Sequence, residues 1–559
     1  MPVPFVRGSS ARQSHGLSLS PALDLSSGYS YPAVLPPGLS ELPATGNGGV
    51  RRGLAKRLLA SAGFALALTG CMVGPDYKQP NVDLQTKWKE QTGTEFSQAI
   101  NMVRNAQINP VTWWGQFDDP TLNALLKQAG QQSLTLQQAA LRIYRARAQL
   151  GVSDATLLPT VVAGGSAVTG DNSSTKEAML QGNWELDFWG KYRRGIESVF
   201  SSYQGTIAAY YAADVSLASS VARTYINIRN LQELIRVATV NLRLQRESLR
   251  IAEARYKAGS TSLLALSQAQ TRYQQTNAEI PGLVSRLTRQ QNAMSILLGK
   301  PPGFYEAQFG QAKNQLKPPK QLEVGIPKDL LRRRPDVALA EYEAASQSAL
   351  IGVKEAALYP SFSITGMFSY LNASVSYSGG QTFSFEGNSS SAGGGFVFPL
   401  FYRGALIDQV RVQDAAFQQA VLNYQNTVLT AQAEVEDALM QIATSQKSAI
   451  DYARAVRSAQ QAAKLALDLY EAGQSDYNTV IVAQQSLLRV QTDLVQTRTD
   501  TLLGFVDAYK ALGGGWSGDL KVPPLPNEMV AQMKERTDWG QALTHPETPR
   551  IVQTLGLTQ

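Results

Sequence analysis

Residues 191–257 and 403–471 are two long runs with almost no Pro or Gly in their interiors, and each ends on the same short signature. Tyr256, Ala258, Gly259 and Ala269-Gln270 of the first recur as Tyr470, Ala472, Gly473 and Ala483-Gln484, all at one constant offset. A helix of that length extends for about 100 Å at ~1.5 Å per residue. Glycine at a helix end accepts a left-handed backbone without a Cβ penalty, so Gly259 and Gly473 read as the turns of two helical hairpin tips. The chain returns through 264–298 and 477–512 and stops at Gly299 and Gly513, which obey the same offset. Apolar positions such as Leu231, Leu234, Ile235, Ala238, Leu242 and Leu249 recur at coiled-coil-like spacing. Pro281 in the first return helix has Val495 at its counterpart, which predicts a kink or local break in one copy only.

The duplication extends upstream. Asp119-Pro-Thr121 offers a helix start, and 134–157 carries Leu136, Ala140, Ile143 and Leu150 at helical spacing before Pro159. A second copy runs from Ala338 to Tyr359-Pro360. In it Gly151, Ala155, Pro159 and Gly165 recur at a second constant offset as Gly352, Ala356, Pro360 and Gly366. Each Pro is followed by strand-like text. Leu180, Gly182, Trp184, Leu186 and Phe188 alternate with Gln181, Asn183, Glu185 and Asp187, while Phe362, Ile364, Gly366, Phe368 and Tyr370 alternate with polar residues and Met367. One apolar and one wet face fit either a sheet on a core or a membrane barrel with a polar lumen. Four strands are expected, at about 160–170, 178–188, 361–371 and 391–399, with exposed loops at 171–175 and 372–391. Trp184, Trp189, Phe396, Phe398 and Phe401 suit an interfacial girdle, and equally a soluble core. Four strands cannot close a barrel, and lipid does not tolerate an open edge, so membrane strands would require several chains to share one barrel.

Reaction chemistry is sparsely represented. The two histidines are His15 and His545, the one cysteine is Cys71, and no dinucleotide, phosphate-loop or metalloprotease motif is present. No catalytic residues, metal or cofactor are therefore expected. Glu434, Glu436 and Asp437 form an acidic cluster on a long helix and read as a wet stripe. The net charge of +7 falls mostly on the stretch before Cys71, and the remainder is too evenly balanced between basic and acidic side chains to imply nucleic acid. Arg332-Arg-Arg-Pro-Asp336 is read as structural, with Asp336 favouring the helix start that follows it.

Residues 1–50 are rich in Pro, Gly and Ser and are expected to be disordered. Arg51, Arg52, Lys56 and Arg57 precede the apolar run 58–68, the order of a secretory signal. The internal position of that signal leads to the expectation that translation starts near Val50, leaving 1–49 out of the cellular precursor.

Leu68-Thr-Gly-Cys71 resembles the lipobox of bacterial lipoproteins, which implies cleavage before Cys71 and lipid on its sulfur and new amino group. Cys71-Met-Val-Gly-Pro-Asp-Tyr, Trp113-Trp-Gly-Gln-Phe-Asp-Asp-Pro and Ile326-Pro-Lys-Asp-Leu-Leu-Arg-Arg-Arg-Pro-Asp336 resemble signatures of the lipid-anchored branch of the TolC-like outer-membrane efflux channels. The resemblance spans roughly 65–525. It implies a mixed α/β membrane protein, with a long α-helical periplasmic barrel and a transmembrane β-barrel shared by a homotrimer at four strands per chain. The expected organisation is an extension at 1–50, a signal peptide at 51–70, an anchor segment at 71–118 and a first repeat at 119–299. A linker at 300–334, a second repeat at 335–513 and a tail at 514–559 follow. Met72 in place of Asp after the cysteine implies the outer membrane.

The resemblance also implies closure at the periplasmic tips, with Tyr470 at the position of a Tyr that contributes to it. Acidic residues common in relatives are replaced here by Val482 and, in the first repeat, Gln268; Ala265 stands where some relatives carry an Asp. Asp476 is the acid left in the tip. The expected gate is a narrow constriction of Val482 and Asn478 that seals by packing more than by charge, with simple packing of Val482 between helices as the alternative. The implied function is drug efflux together with a periplasmic adaptor and an inner-membrane pump. A channel for protein secretion and a non-channel coiled-coil scaffold are the rivals.

Overall fold

The structure is a computed structural model that describes residues 72–82, 102–103, 110–305, 309, 316–319, 322–323, 333–516, 519–540 and 542–543. The signal and lipobox through Cys71, the extension 1–50, His15, Arg332, His545 and the end of the tail lie outside the described residues.

The first repeat comprises α1 (Pro120–Gln132), α2 (Leu134–Asp154), β1 (Thr160–Gly170), β2 (Ser173–Leu186), α3 (Lys191–Lys257) and α4 (Leu263–Leu297). The second comprises α5 (Pro335–Ala356), β3 (Ser361–Ser376), β4 (Thr382–Val397), α6 (Arg403–Glu471) and α7 (Tyr477–Ala511), and a short α8 (Asn527–Arg536) follows. Met102–Val103 pairs in parallel with Leu322–Glu323 across the two halves.

Local chemistry sets these boundaries. Asp119 caps α1, its Oδ1 accepting from the amides of Thr121 and Leu122. At the step from sheet to long helix, Asp187 accepts from the amides of Tyr192 and Arg193, satisfying donors that the helix start leaves open. Helix α4 is continuous through Pro281, so the expected break is absent. Pro281 is exposed, where water can satisfy the carbonyl that loses its amide partner.

β1 to β4 form one antiparallel sheet in the order β1-β2-β3-β4, leaving β1 and β4 as edges. Leu186 pairs with Phe362 and Phe362 with Phe396; Trp184 pairs with Ile364, and Leu180 with Phe368. Directly opposed residues share a face, so the apolar sets of neighbouring strands align. Glu185, Asn183, Gln181 and Thr365 fall on the opposite face. From Leu186 to Ala178 the apolar band follows the strand for about 26 Å, and Lys176, Asn372 and Glu386 line up as a polar row beyond it. The hairpins are longer than expected. β2 begins at Ser173 and β4 at Thr382, so most of 372–391 is strand and the loop shrinks to 377–381. Backbone pairing in a hairpin needs no apolar alternation, so Ser-, Gly- and Asn-rich text continues the ladder without advertising it.

Below the sheet the helices pack as a layer in which α3 adjoins α4 and α7, and α7 adjoins α6; α5 lies against α3 and α6. The main core gathers Trp113, Leu122, Val221, Tyr225, Leu439, Ile442, Phe505 and Tyr509 from both repeats. Trp113 stacks on Tyr509 with centroids 4.8 Å apart. Arg334 has the structural role expected of the basic run: buried, it donates to Asp336, to Glu434 at 2.7 Å and to the Ala511 carbonyl at 3.0 Å. Glu434, from the acidic cluster, is thus an ion-pair partner.

Candidate functional site

Two places in this fold carry chemistry beyond packing: the hairpin tips and the foot of the sheet.

Both tips end in the same backbone motif. Gly259 and Gly473 have φ of +69° and +77°. Ser260 N donates to Arg255 O and Gly259 N to Tyr256 O; Gln474 N donates to Leu469 O and Gly473 N to Tyr470 O. These paired bonds close the last carbonyls of each long helix, and they require the left-handed residue that glycine supplies. The return helices start on equivalent caps. Ser262 Oγ accepts from Ala265 N at 3.3 Å, and Asp476 Oδ1 accepts from Thr479 N at 3.0 Å. The acid expected to contribute to the gate is therefore the helix cap, exposed and held below the usual carboxylate range by the Thr479 amide and hydroxyl.

Equivalent tyrosines receive different surroundings. Tyr470 is 2% exposed, whereas Tyr256 is 41% exposed. Arg255 lies over the Tyr470 ring at 4.6 Å and donates to its carbonyl. The Tyr470 hydroxyl reaches Thr261 at 3.4 Å, and Tyr477 meets the ring edge-on at 5.2 Å. Burial pushes the Tyr477 phenol up to about 12. Ile251, Ala252, Ala265, Ala269, Ala466 and Val480 complete this small core. Arg255, Thr261 and Tyr477 were not anticipated, although Leu469 standing opposite Arg255 in the duplication was a legible signal. Of the other gate candidates, Val482 and Asn478 are exposed on the first turns of α7 in the single chain, and Gln268 is half-buried on α4.

At the foot of the sheet the segment that follows Cys71 is clamped. Val73 N donates to Trp189 O at 3.1 Å. Arg194, 2% exposed, donates to Val73 O, Gly74 O and the Asp76 carboxylate, the last at 2.8 Å. A Cβ on Gly352 would stand 2.6 Å from Val73 O, so the segment passes where only glycine leaves room. Met72 rests against Gly190, just beyond the end of β2. Aromatic side chains surround this level: Phe401 and Phe396 are exposed, Trp189 stacks on Tyr359 at 4.7 Å, and the indole of Trp184 donates to Leu157 O.

A family model described as outer membrane efflux protein matches residues 125–300 and 326–514. Nodulation protein T of Rhizobium leguminosarum bv. trifolii is 30% identical over 469 residues, covering 81% of this chain and 96% of its own. Cation efflux system protein CusC of Escherichia coli O6:H1 is 30% identical over 465 residues, covering 81% of this chain and 97% of its own. Among solved structures, the outer-membrane channel OprN aligns at a TM-score of 0.71 and 27% identity, covering 80% of this chain and 100% of its own.

Proposed function

The chain belongs to the outer membrane efflux protein family, and from that premise we propose that it is a trimeric lipoprotein channel exporting drugs or other small toxic compounds. It would work with a periplasmic adaptor and an inner-membrane pump. The observation that carries this reading is the four-stranded sheet, apolar on one face, polar on the other and open at both edges. An open edge strands amides and carbonyls in lipid, so the edges β1 and β4 must pair with other copies. Three copies supply twelve strands, within the range of closed membrane barrels. The polar face then lines the lumen and the apolar band meets lipid.

The anchor fits the same placement. The clamping of Met72–Asp76 at the foot of the sheet supports a lipid anchor on the preceding residue, Cys71, at the inner face of the outer membrane. From there the long helices reach about 100 Å into the periplasm. The work of transport falls to the pump, and this chain supplies the conduit and its gate. At the gate, the Arg255–Tyr470 contact holds the two tips of a protomer together, while Val482 and Asn478 narrow the passage.

Reconstitution in planar bilayers tests the proposal: the purified trimer is expected to conduct ions, and deletion to sensitise cells to the same toxic compounds as deletion of the partner pump. A folded, assembled protein that does not conduct would overturn it.

A further inference from the structure

The four-stranded ladder keeps one register from foot to tip, so each row of paired residues lies on a single face of the sheet. Near the foot the outward face is the apolar one, with Trp184 and Ile364 in one row. The face turned to the lumen is there mostly polar or small, as in the row Thr160, Asn183, Thr365 and Gly393. Val162, Met179 and Met367 are interspersed on it. At the end away from the long helices, the extracellular end, the two faces exchange character. Lys176, Asn372 and Glu386 stand outward, with Ser174, Ser374 and Ser384 in the next row beyond. Lumenward stand Val168, Ala373 and Phe385, and beyond them Val375 and Phe383.

No bulge interrupts the pairing between these levels, so the exchange lies in the residues and not in the orientation of the strands. Phe383 and Phe385 are exposed, and Tyr377 in the hairpin turn meets the Phe383 ring edge-on at 5.9 Å. The polar rows on the outward face place this end of the sheet clear of hydrocarbon, so lipid does not cover the two rings. One row nearer the foot on the lumenal face stands Glu177, exposed and opposite Leu371. Twelve strands about 4.8 Å apart and tilted by about 40° enclose a bore about 24 Å wide between backbones. Three copies each of Phe383 and Phe385 narrow such a bore without sealing it. A lining of that kind touches what passes.

We propose that Phe383 and Phe385 form an aromatic collar inside the extracellular mouth of the barrel and, with Glu177 beneath it, a contact station for exported aromatic cations. This rests on the trimeric-channel reading above and names the class of compound that the exit favours. Contact between a cargo ring and a phenyl ring removes apolar surface of both from water. A cationic centre is attracted to the phenyl faces, and the Glu177 carboxylate supplies the complementary charge. An aliphatic cation of equal charge gains the second of these without the ring contacts.

Block of single-channel current in planar bilayers tests it, with tetraphenylphosphonium or tetraethylammonium added on the extracellular side. The aromatic cation is expected to half-block the wild-type channel at a concentration at least tenfold below that of the aliphatic one. Phe383→Ser with Phe385→Ser should raise the half-blocking concentration of tetraphenylphosphonium at least tenfold, and Glu177→Gln should raise it several-fold. Equal block of the wild type by both cations, or undiminished tetraphenylphosphonium block in either variant, would overturn the proposal. Should the double variant fail to assemble, single cysteines decide. A positively charged, membrane-impermeant methanethiosulfonate on Phe385→Cys should weaken tetraphenylphosphonium block several-fold, and on Ser384→Cys, one residue away on the outward face, should leave it unchanged. No effect at the first position, or an equal effect at the second, would be contrary evidence. An assembled wild-type protein that does not conduct tells instead against the channel reading.

Discussion

Arg255 at the first hairpin tip and Tyr470 at the second are joined twice: the guanidinium lies 4.6 Å over the ring and also donates to the Tyr470 carbonyl. The contact ties together two tips that share no sequence neighbourhood. A cation–π contact of this kind and a charge-assisted bond to a carbonyl are together worth about 1–3 kcal/mol. Arg255→Ala should therefore speed hydrogen exchange at the amides of 470–474 by about tenfold or more, with exchange in the main core around Tyr225 and Tyr509 unchanged.

Asp476 acts as a cap, so its charge is dispensable and its acceptor oxygen is not. Asp476→Asn should keep the cap and the ion selectivity of the channel. Asp476→Ala should loosen the first turn of α7, read as faster exchange at Thr479. Its carboxyl lies below the ordinary value of 3.8, so the extra strength that the charge gives the cap is present above that pH and is lost as the pH falls through the lowered value, while the neutral carboxyl still accepts.

Val482 presents its side chain to solvent on α7 in the single chain. If it narrows the lumen, Val482→Ala or Val482→Asp raises single-channel conductance. Unchanged conductance would remove it from the gate.

Asp214 on α3 is pushed up to about 6 by burial. Between pH 3.8 and about 6 the folded state holds a proton that the unfolded state has released, so this group lowers stability as pH rises through that window. Asp214→Asn should abolish that part of the pH dependence and raise stability at pH 7 by up to about 3 kcal/mol, measured by thermal unfolding of the trimer in detergent at pH 4 and pH 7.

Gly352 and Gly151 occupy the same place in the two repeats, yet a Cβ at Gly151 meets nothing within 4 Å, while one at Gly352 stands 2.6 Å from Val73 O. Gly352→Ala should displace the anchor segment at a cost of about 1–3 kcal/mol, seen as protease cleavage near residues 72–82. Gly151→Ala should be neutral or slightly stabilising.

Helix extents were legible from residue order because periodicity and Pro/Gly punctuation are local: 191–257 and 403–471 are the observed limits of α3 and α6. The two-faced character of the strands was legible for the same reason. Their full lengths were not, since Ser173–Lys176 and Thr382–Ser391 owe their strand conformation to paired backbones in a hairpin.

The sequence by itself determined the duplication, the glycine turns at Gly259 and Gly473, the alternation of apolar and polar strand faces and the need for several chains to close a barrel. Only the tertiary structure decided how equivalent positions diverge: Tyr470 is covered by Arg255 and Tyr477 while Tyr256 is open, and Gly352 is crossed by the anchor while Gly151 is free. A repeat passes on residue identity and local conformation. Which neighbour covers each copy depends on contacts between segments far apart in the chain, and those exist only once the two hairpins lie side by side.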